Sequence, residues 1–401
     1  MNEDKSARYH RLTRQAAVFS TAAAAVSLGA LALTDAAVWL RTALAPHVDP
    51  AWPSPVTVAL YVTVLALLHG AVTVPLAYYR TFILERRYGL SFQRAPDWIR
   101  EHAKAAALGI AFVISAAEVV YWTMRASPVW WWVMSAVIFW AVLAAGARLA
   151  PIVLFPLFYR FKPLDRESLR GRLASLFQRA GVPILGIFEW GLGERTRRAN
   201  AALVGAGSTR RILLSDTLLA EYADDEIEVI LAHELAHHVH RDLLQGLAVE
   251  GAVLVAALYA AASAISAWWE PLGLAGPSDV AGLPLLILVA GTVSLCATPL
   301  ANAISRINER RADRYALALT ERPDAFRSAM LRLAAQNLAE ERPSLPVLWM
   351  FHAHPPMYER IDAARAFKDS GALNRCDLTA GGVPKAGRAA DEAREATRAP
   401  G

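Results

Sequence analysis

Residues 233–237 read His-Glu-Leu-Ala-His. On a helix, positions i and i+4 lie on one face, so His233 and His237 can present two imidazoles to a single ion. Glu234 is turned about 100° from His233 by the helical period, which sets its carboxylate beside that ion. The chemistry this suits is hydrolysis. Zinc lowers the pKa of a bound water to about 7, and an adjacent carboxylate can take the proton as hydroxide attacks a carbonyl. His238 and His240 fall off the ligand face and read as ordinary polar positions or as groups supporting the ligands.

A catalytic zinc site takes three protein ligands and leaves a fourth position open. The segment Ser305-Arg306-Ile307-Asn308-Glu309-Arg310-Arg311-Ala312-Asp313 offers two carboxylates one helical turn apart. One of Glu309 and Asp313 could bind the metal while the other accepts the free N–H of a ligating histidine. The same spacing also fits a solvated charged face, with Arg306 and Arg310 as helix partners. Spacing alone does not choose between these readings.

These residues need elements to carry them. Asp224, Asp225 and Glu226 open a helix, where acidic residues complement the macrodipole, and that helix runs through the histidines. Before it, residues 156–243 read as a small domain. Asp165 to Ala180 has helical spacing with Leu169, Leu173 and Leu176 on one face. An apolar run from Pro183 through Trp190 predicts a strand. Ala199–Val204 and Arg210–Ser215, separated by Gly205-Ala206-Gly207-Ser208, predict a hairpin. Downstream, 305–340 predicts one long helix, Pro343–Pro356 a loop and Met357–Lys368 a final helix. The tail from about 371, rich in Gly, Ala, Pro and charge, is expected to be disordered.

The rest of the chain is built for lipid. Of 401 residues 55% are apolar and only 19% charged, against about 25% charged in soluble domains. Six stretches can cross a bilayer, which takes about 20 helical residues: 16–40, 56–79, 104–124, 128–155, 244–268 and 282–304. The first contains Asp35, and its basic flank also admits a signal-peptide reading, although no small-residue cleavage site follows. Lys5, Arg8, Arg11 and Arg14 precede the first span. Arg80, Arg86, Arg87, Arg94, Arg100 and Lys104 follow the second, Arg160, Lys162 and Arg166 the fourth, and Arg306, Arg310 and Arg311 the sixth. The connections near 41–55 and 269–281 hold Arg41 alone between them. The positive-inside rule therefore predicts both termini and the 156–243 segment on the cytoplasmic side. Cys296 and Cys376 give no disulfide framework and are expected to be free thiols. Glu118 and Glu250 fall inside spans, where a carboxylate is a functional candidate by default. Trp130-Trp131-Trp132 sits where an aromatic belt would.

Over about residues 75–365 the sequence resembles the type I CAAX prenyl protease family of integral-membrane zinc endopeptidases. The likeness is carried by Tyr79-Arg80-Thr81-Phe82-Ile83-Leu84-Glu85-Arg86-Arg87-Tyr88-Gly89 after a span, and by Ala150-Pro151-Ile152, Pro156-Leu157-Phe158 and Phe161-Lys162-Pro163-Leu164 before the catalytic domain. It continues through Arg211-Ile212-Leu213-Leu214-Ser215-Asp216-Thr217-Leu218-Leu219, the histidine motif, Ser305-Arg306 with Glu309 and Ala312-Asp313, and His354-Pro355-Pro356 with Glu359-Arg360-Ile361. The resemblance implies that Glu309 is the third metal ligand and Asp313 the carboxylate behind a histidine. It also implies that His354 lies near the zinc, where a histidine could donate to the developing oxyanion. Asn200 matches the asparagine of an edge strand that would bind substrate backbone by strand addition. The family encloses a chamber, which Glu118 and Glu250 could line. Its eukaryotic members have seven spans against six here, and an aromatic pair stands where this chain has Ala202-Leu203.

The expected molecule is mainly α: a polytopic helical membrane protein with about six transmembrane helices plus a small α+β zinc-peptidase domain with a short β-sheet or hairpin. Its expected parts are an N-terminal membrane domain (1–155), a metallopeptidase domain including the last two spans (156–370), and the tail (371–401). The expected activity is peptide-bond hydrolysis at the cytoplasmic face, with one Zn2+ held by His233, His237 and Glu309. Glu234 and His354 would be catalytic, Asp313 supporting and Asn200 substrate-binding. The substrate would be a CAAX-like C-terminus or a membrane protein under quality control. Partners are a peptide or protein and the bilayer, with no nucleic acid. A transport or scaffold protein with a vestigial site should have lost one of the four motif residues, and all are present. A structural zinc would favour four protein ligands, usually cysteines.

Overall fold

The computed structural model describes residues 5–45, 50, 53–153, 161–191, 198–205 and 210–370. The Pro156-Leu157-Phe158 segment, most of the 205–208 turn, Cys376 and the expected disordered tail lie outside the described residues. The described chain divides into two compact units, and each is taken in turn.

The first unit comprises residues 1–147, 194–196 and 244–301. Its helices are α1 (Lys5–Leu33), α2 (Ala36–Leu44), α3 (Pro55–Tyr78), α4 (Ala95–Ala126) and α5 (Trp131–Val153), with most of α9 (Asp242–Trp268) and the first half of α10 (Leu283–Thr320). Among the described residues six helices are long and apolar enough to cross a membrane, as expected. Large side chains such as Phe19, Val26, Leu67, Phe112 and Val137 stand exposed on them. Apolar exposure on that scale marks a surface that lipid covers. The span expected at 16–40 is interrupted. Helix α1 ends at Leu33, and Asp35 heads the separate short helix α2. The carboxylate is thereby kept out of a helix interior. Ser54 caps α3 by accepting the Thr57 N–H at 3.2 Å, with Pro55 at the first helical position. Past α3 the chain makes a π-helical turn over Tyr79–Leu84. Trp140 lies across Gly251, where a Cβ would come within 2.7 Å of the indole, and its N–H donates to the Leu247 carbonyl at 2.9 Å.

The second unit comprises residues 148–193, 197–243 and 302–401. It contains β1 (Phe161–Pro163), α6 (Glu167–Arg179), β2 (Gly186–Trp190), β3 (Ala201–Val204), β4 (Arg211–Ser215), α7 (Asp216–Glu221) and α8 (Asp224–Val239). The second half of α10 follows, then α11 (Pro323–Gln336), α12 (Leu345–Phe351) and α13 (Met357–Asp369). The strands form one mixed sheet in the order β1-β2-β4-β3. β3 pairs antiparallel with β4, and β2 parallel with β4. The hairpin is as expected, whereas β1 is a strand that three residues were too short to announce. The predicted apolar face Leu169, Leu173 and Leu176 is buried with Ile212, Leu214, Ile227, Leu231, Leu235, Ala316 and Phe326 in a single core. Helix α8 starts with the Glu226 carboxylate accepting the Ala223 N–H at 2.9 Å. It stops where Arg241 takes a φ of 58°.

Two expectations are corrected here. The helix foreseen over 305–340 is two: α10 runs unbroken from the sixth span to Thr320, and α11 starts at Pro323. Glu321 has a φ of 54°, and proline disfavours a helical residue before it. The loop foreseen at 343–356 contains the short helix α12.

Candidate metal centre

Helix α8 presents His233 and His237 one turn apart, and α10 brings Glu309 to them. Their ligand atoms lie within 4.8 Å of one another. His233 Nε2 is 3.3 Å from His237 Nε2 and 3.2 Å from Glu309 Oε2, and His237 Nε2 is 3.5 Å from Glu309 Oε1. The opposite ring nitrogens are occupied. His233 Nδ1 lies 2.9 Å from Asp313 Oδ1, and His237 Nδ1 lies 2.8 Å from Asp242 Oδ2. A carboxylate only accepts, so each Nδ1 is placed to hold a proton and to leave Nε2 for a metal when one binds. Two imidazole nitrogens and a carboxylate thus converge on one point.

That convergence is the test of whether a metal fits. Ligands ~2.0–2.1 Å from a tetrahedral ion are about 3.3–3.4 Å apart along each edge. The His233–His237 separation matches that value, and each histidine lies 3.2–3.5 Å from one of the two Glu309 oxygens. Glu309 Oε2 draws two imidazole nitrogens to it, His233 Nε2 at 3.2 Å and His354 Nδ1 at 2.9 Å. The donor set of two imidazoles and one carboxylate suits zinc and leaves a fourth position free.

The electrostatics agree with the geometry. Burial opposes a charge on His233, but its bonds to Asp313 and Glu309 outweigh this and lift its pKa to about 9. Burial also pushes Glu309 up, yet its contacts with His233 and His354 hold it well below the carboxylate range. Asp313 is likewise buried, and the charge of Arg360 prevails and lowers it. For Glu234 burial prevails over the two histidines, and its carboxyl is raised.

Asp313 thus stands behind His233, where the resemblance put it. His354, in the loop after α12, is 68% exposed, with Nδ1 2.9 Å from Glu309 Oε2. Asn200 stands apart from the cluster at the start of β3. Its C=O accepts the Ser215 N–H and its N–H donates to Ser215 Oγ, both at 2.9 Å, and its side chain is exposed. His240 packs edge-on to Tyr315. Glu118 is half-buried and Glu250 exposed, and neither joins the metal cluster. Cys296 is a free thiol.

Two supporting residues were not foreseen. Asp242 follows His237 by five positions, off the ligand face of any continuous helix, and the left-handed Arg241 is what folds it back. Arg311 pairs with its other oxygen. Arg360, noted only as part of a motif, is buried and grips Asp313 with two bonds, Nε to Oδ2 at 2.9 Å and Nη2 to Oδ1 at 2.5 Å.

Residues 163–368 match the family model described as peptidase family M48. Residues 2–160 match that of the CAAX prenyl protease N-terminal region, described as five membrane helices. The chain belongs to peptidase family M48. Similar proteins include YhfN of Bacillus subtilis, described as an uncharacterized metalloprotease, which is 29% identical over 76% of this chain and 72% of its own length. CAAX prenyl protease 1 of Saccharomyces cerevisiae is 26% identical over 76% and 71%. In fold the chain is similar to the crystal structure of S. mikatae Ste24p. The TM-score is 0.78 at 22% identity, covering 90% of this chain and 88% of that one. As an M48 member with six apolar helices, the protein is a multi-pass membrane metallopeptidase.

Proposed function

We propose that this metallopeptidase is a zinc endopeptidase whose metal is held by His233, His237 and Glu309, acting at the cytoplasmic face of the membrane. The observation that carries the reading is the clustering of one ligand atom each from His233, His237 and Glu309 within 4.8 Å, the two Nε2 atoms 3.3 Å apart, with a carboxylate behind each histidine. When bound, zinc would polarise the scissile carbonyl and acidify a water. Glu234, whose carboxyl burial raises, takes a proton from that water and delivers it to the leaving amine. His354 keeps Nδ1 toward Glu309 and has Nε2 free to donate to the carbonyl oxygen as it gains charge. Asp313 and Asp242 fix the ligating tautomers. The edge strand β3, with Asn200 at its start, receives the substrate as an extended strand. The arginines and lysines that follow the even-numbered spans support the cytoplasmic orientation.

The substrate is an unstructured C-terminal segment of CAAX-like type or a loosely folded membrane protein. The test is cleavage of a prenylated CAAX peptide and of an unfolded membrane protein by the purified chain in detergent, beside Glu234→Gln. Chelator-sensitive cleavage is expected, with Glu234→Gln lowering kcat by about 10²–10⁴-fold while zinc stays bound. Undiminished cleavage by zinc-loaded Glu234→Gln would sink the mechanism. Which of the two substrates is cut assigns the class.

A further inference from the structure

β3 is an outer strand of the sheet, and β4 pairs with only one of its edges. Because the Ser215 N–H donates to the Asn200 carbonyl, Asn200, Ala202 and Val204 turn their backbone groups toward β4 by the two-residue period. Ala201 and Leu203 turn theirs outward. These two outward residues differ. The Leu203 carbonyl accepts from His238 Nε2 at 2.9 Å, whereas among the described residues no group meets the N–H or C=O of Ala201. The bond is well anchored at both ends. His238 directly follows the ligand His237 on α8, and the Leu203 side chain is buried in the core that α8 helps to form.

A strand added to this edge pairs in steps of two, since a shift by one residue turns every side chain to the wrong face. A shift by two keeps every side chain on its proper face and is the cheapest error available. For this edge, a two-residue shift means pairing at Leu203 in place of Ala201. We infer that His238 is a register stop: by occupying the Leu203 carbonyl it confines substrate pairing to Ala201, and so fixes which peptide bond lies over the metal. The inference rests on the proposed strand addition at β3. It makes His238 a positioning residue with no part in the chemistry. A carbonyl asks only for a donor, so the neutral Nε2–H imidazole suffices, and a glutamine amide of similar reach can replace it.

The test uses the full-length, zinc-loaded protein in detergent and one defined unstructured peptide, with cleavage sites mapped by mass spectrometry and rates normalised to bound metal. His238→Ala is expected to add products displaced by two residues, in amounts within about tenfold of the parental product, the scale of one hydrogen bond, while total turnover changes less. His238→Gln should restore the single site. Ala201→Pro, which removes the outward N–H, should abolish cleavage with metal retained. If Ala201→Pro cuts like the parent protein, strand addition is wrong and this inference falls with it. If Ala201→Pro is inactive but His238→Ala gives the parental products alone, only the register stop is overturned. Displaced products in His238→Ala that glutamine fails to suppress would overturn it as well.

Discussion

Each unit of the molecule buries an aspartate against an arginine, and the two pairs serve different ends. In the first unit Asp279 is fully buried. It accepts from Arg41 and from the backbone N–H groups of Ala275 and Ala281, both at 2.9 Å. Every interaction ends there, pinning the turn before α10. In the second unit Asp313 accepts two bonds from Arg360 and faces His233 Nδ1. This interaction does not end, because the imidazole passes it on and its far nitrogen points at two other ligand atoms. Burial of a charge is common to both. What separates a structural carboxylate from a functional one is whether its partner has a second valence and where that valence points.

The largest effect is expected from removing the far end: His233→Ala or Glu309→Ala should abolish stoichiometric metal binding, read by elemental analysis, and all cleavage with it. Next, Asp279→Ala should lower stability by up to about 3–5 kcal/mol, because a half-buried Arg41 and the N–H groups of Ala275 and Ala281 lose their acceptor. Thermal unfolding in detergent would show this, and metal affinity in the surviving folded fraction should be unchanged. A third effect is smaller. Asp313→Asn and Asp242→Asn should each weaken metal binding by about 10–100-fold, and excess zinc should recover their activity. If Asp279→Ala weakened metal binding as much as Asp313→Asn, the two aspartates would not differ in function.

The smallest effect belongs to a carboxylate that is barely buried. Asp225 is held below the usual carboxylate range by a hydrogen bond from Arg172, against some burial, with Arg322 assisting. A depressed folded pKa means that its stabilisation is complete above the unfolded value of about 4 and fades as the pH falls through the folded one. A modest acid-side drop in Tm is therefore expected, and Asp225→Asn should flatten it. Being half exposed, this pair should matter far less than Asp279.

Much of this was legible in advance, for physical reasons that differ by residue. The spans declare themselves by composition, and the histidine pair by a period that any helix must obey. Glu309 needed more, since spacing left it level with a solvated face until family likeness favoured it. Asp242 was illegible because its role depends on one left-handed residue, Arg241, whose φ no periodicity foretells. The break at Glu321 had a local signal in Pro323 that an unbroken periodic pattern obscured. His238 was dismissed as off the ligand face, which is correct. Its partner is a backbone carbonyl on a strand 35 positions away, and such contacts leave no mark on side-chain patterning.

One feature of the chain order bears on biogenesis. His233, His237 and Asp242 precede the fifth and sixth spans, whereas Glu309, Asp313 and His354 follow them. No contiguous stretch free of transmembrane sequence holds all three proposed ligands, so no simple truncation would liberate a soluble peptidase carrying them. During synthesis the third ligand leaves the ribosome only after the membrane hairpin between α9 and α10 has been made. The protease is thus assembled after its own anchor, and nascent chains are spared a premature active site.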